Sequence, residues 1–147
     1  MDVTFTRTGE RRYAVSVGEL SVHPAPGYDD EIPHDLVHLA VEVACGIPMG
    51  VFGQLAAGGT AGLARPADGT ADRKLRERGL RLAGQHGDDL KRSEALASQA
   101  TIAFKRGDRP VREPEIERVC ALLDELSARW RALRVGESMT EPWTQMD

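Results

Sequence analysis

Hydrophobic and polar residues alternate along the first 24 positions of the chain. Val3 and Phe5 flank the polar Thr4, and the same alternation resumes after a turn at residues 8–10. Alternation places every second side chain on one face of a strand, which is typical of a sheet with one buried face. Residues 1–24 are therefore predicted to form an antiparallel β-meander, which ends at a break rich in proline, glycine and acidic residues over 24–31.

Residues 36–44 are almost all apolar, and everything after Ala71 is helical in character. The clearest helix begins at Pro114, where apolar residues recur at three- and four-residue steps, the spacing of an amphipathic helix. Glycine and proline residues follow these helical segments and so mark the helix boundaries. The predicted helices cover residues 33–45, a short piece at 51–57, 71–85, 87–104 with a stop at Gly107, and 114 to about 135 with a stop at Gly136. The predicted fold is α+β, with a small N-terminal antiparallel β-meander packed on a bundle of about four helices. The predicted organisation is one domain at 1–136 (meander 1–24, helical part 33–136) and a flexible tail at 137–147.

The composition narrows the class of protein. The chain has 147 residues, 41% of them hydrophobic, and a net charge of −4. This size favours a single domain, and the acidic balance argues against a general nucleic-acid-binding protein. The longest apolar stretch is interrupted by polar residues, proline and glycine, so no membrane span is predicted, and a cytoplasmic location is the default expectation. Two widely separated cysteines give no disulfide framework.

A polar stripe on the first predicted helix carries the strongest chemical signal. His34, His38, Glu42 and Cys45 follow steps of four, four and three, so they share one face of an otherwise apolar helix. Two imidazoles four residues apart can hold one metal ion. We therefore predict a divalent-metal site, with Zn or Fe as cofactor and His34 and His38 as ligands. Glu42 is a candidate third ligand, or the catalytic base that acts on a bound water.

Two other interpretations of the stripe remain open. A mostly apolar helix needs one solvated face, and His, His and Glu would satisfy it. The two histidines could instead be capped by backbone carbonyls in a packed polar seam. Asp35 occupies the position of the catalytic glutamate in HExxH peptidases, but its side chain is shorter and points off the stripe. Its expected role is to stabilise the first helical turn, so a peptidase is not favoured.

Three further features carry weaker predictions. His86 is a supplementary metal ligand or a structural residue at a helix end. The basic stretch at 73–81 is a solvated helix face or a surface for an anionic partner or substrate. The apolar stripe of the 114–134 helix fills the core or forms a homodimer seam.

Short stretches of the chain resemble known proteins. His34-Asp35-Leu36-Val37-His38 is similar to the HDxxH zinc motif of a quinone-biosynthesis family, which implies a metal site in a largely helical protein. That family carries a further glutamate about a dozen residues later, where this chain has Gly50. The His34–Asp35 pair also resembles the central element of HD-domain phosphohydrolases, although the upstream histidine, His23, falls in a predicted strand here.

A longer string resembles a group of small uncharacterised bacterial proteins. It consists of Pro24–Tyr28, Pro33–His38 and Phe52–Gly59, and it covers about a quarter of the chain. This likeness implies a real family but carries no activity.

The favoured function from sequence is a metal-binding protein that uses the His/His/Glu stripe to activate water or a small-molecule substrate. The alternative is a non-catalytic helical interaction or regulatory module that forms a homodimer through the 114–134 helix. Whether the chain is an enzyme cannot be read from the residues alone.

Overall fold

The computed structural model describes residues 1–24, 32–106 and 113–144. The elements, in chain order, are β1 (Asp2–Gly9), β2 (Arg12–Val17), β3 (Leu20–Val22), α1 (His34–Cys45), α2 (Val51–Ala56), β4 (Ala64–Pro66), α3 (Arg73–Gln85), α4 (Gly87–Arg106), α5 (Pro114–Arg131) and β5 (Ser138–Pro142). This arrangement confirms the α+β class and the N-terminal antiparallel meander.

The five strands form one antiparallel sheet in the order β4-β3-β2-β1-β5. Its two faces follow the alternation of the sequence. One face is covered by the helices and buries Val3 and Phe5, among others. The other face is exposed and carries hydroxyl pairs across β1 and β5, such as Thr4 with Thr140 at 3.0 Å. A one-residue shift in register would exchange the two faces, so the alternation sets the pairing.

The C-terminal strand corrects one prediction from sequence. A flexible tail was expected for residues 137–147, but Ser138–Pro142 forms β5, the edge strand beside β1. Met139 and Glu141 are buried there while their neighbours are exposed. The backbone N–H of Trp143 continues the pairing by donating to the carbonyl of Met1 at 2.8 Å. A polar strand of five residues gives too little apolar alternation to be recognised without its partner.

Strand β4 is a second addition to the predicted sheet. The sequence indicates a loop through residues 58–69, and within it Ala64–Pro66 pairs with β3. Three residues are too few to show a periodic pattern, and a proline is tolerated only because β4 lies at the sheet edge.

Helix α1 lies at the centre of the fold. It contacts α2, α4 and α5, and eight consecutive residues from Asp35 to Glu42 are buried. The helix ends as the sequence predicts, because Gly46 adopts a left-handed conformation at φ 64° and its N–H caps the carbonyl of Glu42. A helix buried on all sides must place its polar side chains against other polar groups.

Helix α5 uses its apolar stripe inside the chain. Ile116, Val119, Leu123 and Trp130 are buried, and the helix contacts α1 and α4. This is the core-forming role that the pattern allowed. The homodimer through the 114–134 helix remains a prediction, and it would have to use the other face of α5.

Several predicted features fall outside the described residues: most of the break at 24–31, the helix stop at Gly107, the linker at 109–110 and the end of the tail at 145–147. Within the described ranges, none of the helices combines the length and the apolar character needed to cross a bilayer.

Candidate functional site

The polar stripe of α1 faces α4 rather than solvent over most of its length. His38 is 4% exposed and Glu42 is 2% exposed, and both contact the fully buried Ser93 of α4. His34, at the first turn of α1, is half-buried. The stripe is therefore a buried polar seam whose N-terminal end approaches the surface.

Glu42 anchors the N-terminus of α2. Its carboxylate accepts the backbone N–H groups of Val51 at 2.9 Å, Phe52 at 3.0 Å and Gly53 at 3.2 Å. These are N–H groups that a helix start leaves without partners in its own backbone. A carboxylate at this position also meets the positive end of the helix dipole. One side chain of α1 therefore supplies the cap that α2 lacks in its own sequence.

Gly50 makes room for this carboxylate. A Cβ atom at position 50 would lie 2.5 Å from Cδ of Glu42 and 2.7 Å from its Oε2. Only glycine allows the backbone before α2 to approach the carboxylate so closely.

Ser93 joins Glu42 to His38. Its hydroxyl donates to Oε2 of Glu42 at 3.1 Å, and its oxygen lies 2.9 Å from Nδ1 of His38. A hydroxyl has one proton, and an ionised carboxylate can only accept. When Glu42 is ionised, Ser93 therefore accepts from His38, which must carry its proton on Nδ1. The lone pair of the neutral imidazole then lies on Nε2.

Burial shifts the pKa of both titratable groups in opposite directions. It raises the pKa of Glu42 to about 7, against the opposing effect of the hydrogen bonds from Gly53, Ser93 and the first residues of α2. It lowers the pKa of His38 to about 4, and the neighbouring charge of His34 acts in the same direction. His38 is therefore neutral at physiological pH, which is the form that binds metal ions.

His34 lies directly beside His38. The two ring centroids are 4.8 Å apart and the ring planes are almost perpendicular, at 86°. This is the juxtaposition that the four-residue spacing predicts. It leaves two imidazoles on one face of α1, one held by the interior and one half-buried.

Asp35 points away from the stripe, as predicted, but its surroundings are different from those expected. It is buried, and the hydroxyl of Tyr13 donates to its Oδ2 at 2.6 Å. Asp35 thus joins the first turn of α1 to strand β2. Tyr13 also packs edge-to-face against Trp130 of α5, with ring centroids 6.1 Å apart.

The remaining predicted site residues lie elsewhere. Cys45, at the end of α1, is half-buried, and burial together with Glu115 raises the pKa of its thiol. His86 is the C-cap residue of α3. Across residues 1–24, 32–106 and 113–144, no group of three or more His, Cys, Asp or Glu side chains is placed to hold a metal ion. The structure thus brings His34 and His38 together without joining His86 and Glu42 to them as such a group.

Ser93 and Gly50 are the two members of this site that the sequence analysis missed. Ser93 is the only serine among the buried positions of α4, and the apolar stripe of that helix predicts its burial. The sequence therefore allowed the burial of Ser93 to be predicted, but not its contacts with Glu42 and His38. Gly50 carried no signal, because its role depends on the position of a carboxylate eight residues earlier.

Comparisons of the chain with protein-family models, with curated proteins and with solved structures give no match.

Proposed function

We propose that the chain binds a divalent transition-metal ion, Zn²⁺ or Fe²⁺, through His34 and His38. The observation that carries this proposal is the hydrogen-bond chain from α2 through Glu42 and Ser93 to Nδ1 of His38. That chain leaves Nε2 of His38 with a free lone pair beside a second imidazole.

The hydrogen-bond chain from α2 to His38 resembles the network that supports the ligands of a metal site. Metal-binding histidines commonly donate their second N–H to a carboxylate or another acceptor, which fixes the tautomer and makes the ring a better ligand. Here a serine hydroxyl stands between the histidine and the carboxylate. In this proposal Glu42 is a positioning residue that acts through Ser93, since its carboxylate already accepts four hydrogen bonds.

His34 supplies the second ligand. Its ring lies 4.8 Å from that of His38 between centroids, and its half-buried position allows an ion to enter from solvent. Two protein ligands leave two positions of a tetrahedral site for water or a small substrate. A metal ion held in this way would lower the pKa of a bound water and so activate it as a nucleophile, which is the chemistry that the proposal assigns to the site.

The test is Zn²⁺ binding by tag-free protein, measured by calorimetric titration. Wild type should bind one equivalent, and His34→Ala or His38→Ala should weaken binding by at least tenfold. His86→Ala and His23→Ala remove the other two histidines and are matched controls that should bind as wild type does. Substoichiometric binding by wild type, or equal losses in all four variants, would contradict the proposal.

A Ser93→Ala variant tests the positioning role separately. Loss of an outer-shell partner typically weakens metal binding by about 10- to 100-fold. Binding as tight as that of wild type in a folded Ser93→Ala protein would show that the hydrogen-bond chain does not prepare His38 for a metal.

A further inference from the structure

A groove lined by residues other than those of this network has no role in the metal site. It lies between β4, the turn that precedes β4 and the first turns of α3, and it has a volume of about 740 Å³. None of its lining residues belongs to the network of His34, His38, Glu42 and Ser93. The residues that line it are Thr60, Gly62, Ala64, Arg65, Pro66, Thr70, Ala71, Asp72, Arg73, Leu75, Arg76 and Leu80.

The wall of the groove is fixed by a close contact between α3 and the turn at Thr60. A Cβ atom at Gly79 would collide with the Thr60 hydroxyl, so glycine lets the helix lie directly against the turn. The turn itself is held by Thr60, whose carbonyl accepts the N–H groups of Leu63 and Ala64 and whose hydroxyl oxygen accepts that of Gly62. These contacts hold the Thr60 side of the groove against α3.

The charge of the groove is positive. Three arginines line it, and the single acidic lining residue, Asp72, already caps α3 by accepting the N–H of Leu75. Arg73 pairs with the exposed Glu77 at 3.1 Å. Across the part of the chain that the structure describes, no hydrogen bond or ion pair engages the side chains of Arg65 and Arg76.

The lining also offers apolar surface. Leu75 is buried at the groove, while Leu80, one and a half turns along the same helix, is 66% exposed. Both leucines line the groove and give it apolar surface. Apolar surface beside a few fixed polar groups is the usual composition of a small-molecule site, and sites of about 300–1,000 Å³ are typical.

We propose that this groove binds a small organic anion, with its apolar body against Leu75 and Leu80 and its charged group on Arg65 and Arg76. Guanidinium groups suit this role because their planar donors match the geometry of carboxylate, phosphate and sulfonate oxygens. The proposal concerns a different surface from the metal site and stands independently of it. It also gives Arg76, one residue of the basic stretch at 73–81, a specific role.

The test uses 8-anilinonaphthalene-1-sulfonate, an aromatic anion whose fluorescence rises on binding. Wild type should bind it saturably at one site, and Arg65→Glu or Arg76→Glu should weaken binding by at least tenfold. Arg81→Glu is the matched control: it makes the same charge change on an exposed position of α3 that does not line the groove. Arg81→Glu should change the affinity by less than about threefold. Circular dichroism establishes that each variant keeps its fold.

The uncharged analogue N-phenyl-1-naphthylamine separates charge recognition from apolar adsorption. It should bind wild type at least tenfold more weakly than the sulfonate does. Equal binding of the two probes, an equal effect of Arg81→Glu and Arg76→Glu, or unsaturable binding would overturn the proposal.

Discussion

Replacing Ser93 by alanine removes the hydroxyl that joins Glu42 to His38. Ser93 is completely buried, so water cannot take the place of the lost group. Its hydrogen bond to a carboxylate is worth about 1.5–3 kcal/mol, and a buried Nδ1–H of His38 left without an acceptor costs about 1–3 kcal/mol more. We therefore expect Ser93→Ala to lower the free energy of unfolding by about 3–5 kcal/mol.

The assay is urea denaturation at about pH 8, where Glu42, with its pKa of about 7, is mostly ionised. Ser98→Ala is the matched control, since Ser98 lies on the exposed face of the same helix. A surface change of this kind alters stability by no more than about 0.5 kcal/mol. If Ser93→Ala stays within about 1 kcal/mol of Ser98→Ala, the hydrogen bonds of Ser93 do not hold the network together.

Three further predictions concern the surroundings of the site. Burial raises the pKa of Glu42 from 4.5 to about 7, so the wild-type fold loses stability as the pH rises from 4.5 to about 7. Glu42→Gln lacks this titration, and its free energy of unfolding relative to that of wild type should rise by up to about 3 kcal/mol over the same range. A difference in urea stability that does not vary with pH would contradict this. Gly50→Ala should destabilise the fold by about 3 kcal/mol, since its Cβ would lie 2.5 Å from Cδ of Glu42. Gly84→Ala, where a Cβ meets open space within a helix, should instead stabilise it by about 0.5–1 kcal/mol, and thermal melts in which both variants shift alike would exclude the steric argument. Tyr13→Phe should cost about 1–3 kcal/mol because it takes a donor from the buried Asp35, and an unchanged urea midpoint would show that this bond contributes nothing.

The sequence predicted well those features that depend on neighbouring residues. The ends of α1 follow from Pro33 and Gly46, whose backbone conformations are those of a helix start and a left-handed cap. The meander follows from the alternation of residues 3–22, because burial of one sheet face imposes a period of two. The proximity of His34 and His38 follows from the helical repeat alone.

Features that depend on distant partners could not be predicted in the same way. Glu42 was a candidate ligand or base because of its place on the stripe. Its hydrogen bonds to α2 and Ser93 arise only when the chain turns back after Gly46 and when α4 packs across α1. In the same way, β5 is stabilised by pairing with β1, more than 130 residues earlier in the chain. Neither contact leaves a local pattern.

The tautomer of His38 links the buried network to the proposed metal site, and long-range ¹H–¹⁵N correlation of the imidazole nitrogens measures it directly. The His38 signals are assigned by their loss in His38→Ala, and the spectrum is recorded at about pH 8 without metal. We predict a proton on Nδ1 and a lone pair on Nε2, with the Nε2 resonance shifting when one equivalent of Zn²⁺ is added. A proton on Nε2 in the metal-free protein, together with no change on adding Zn²⁺, would contradict the central claim.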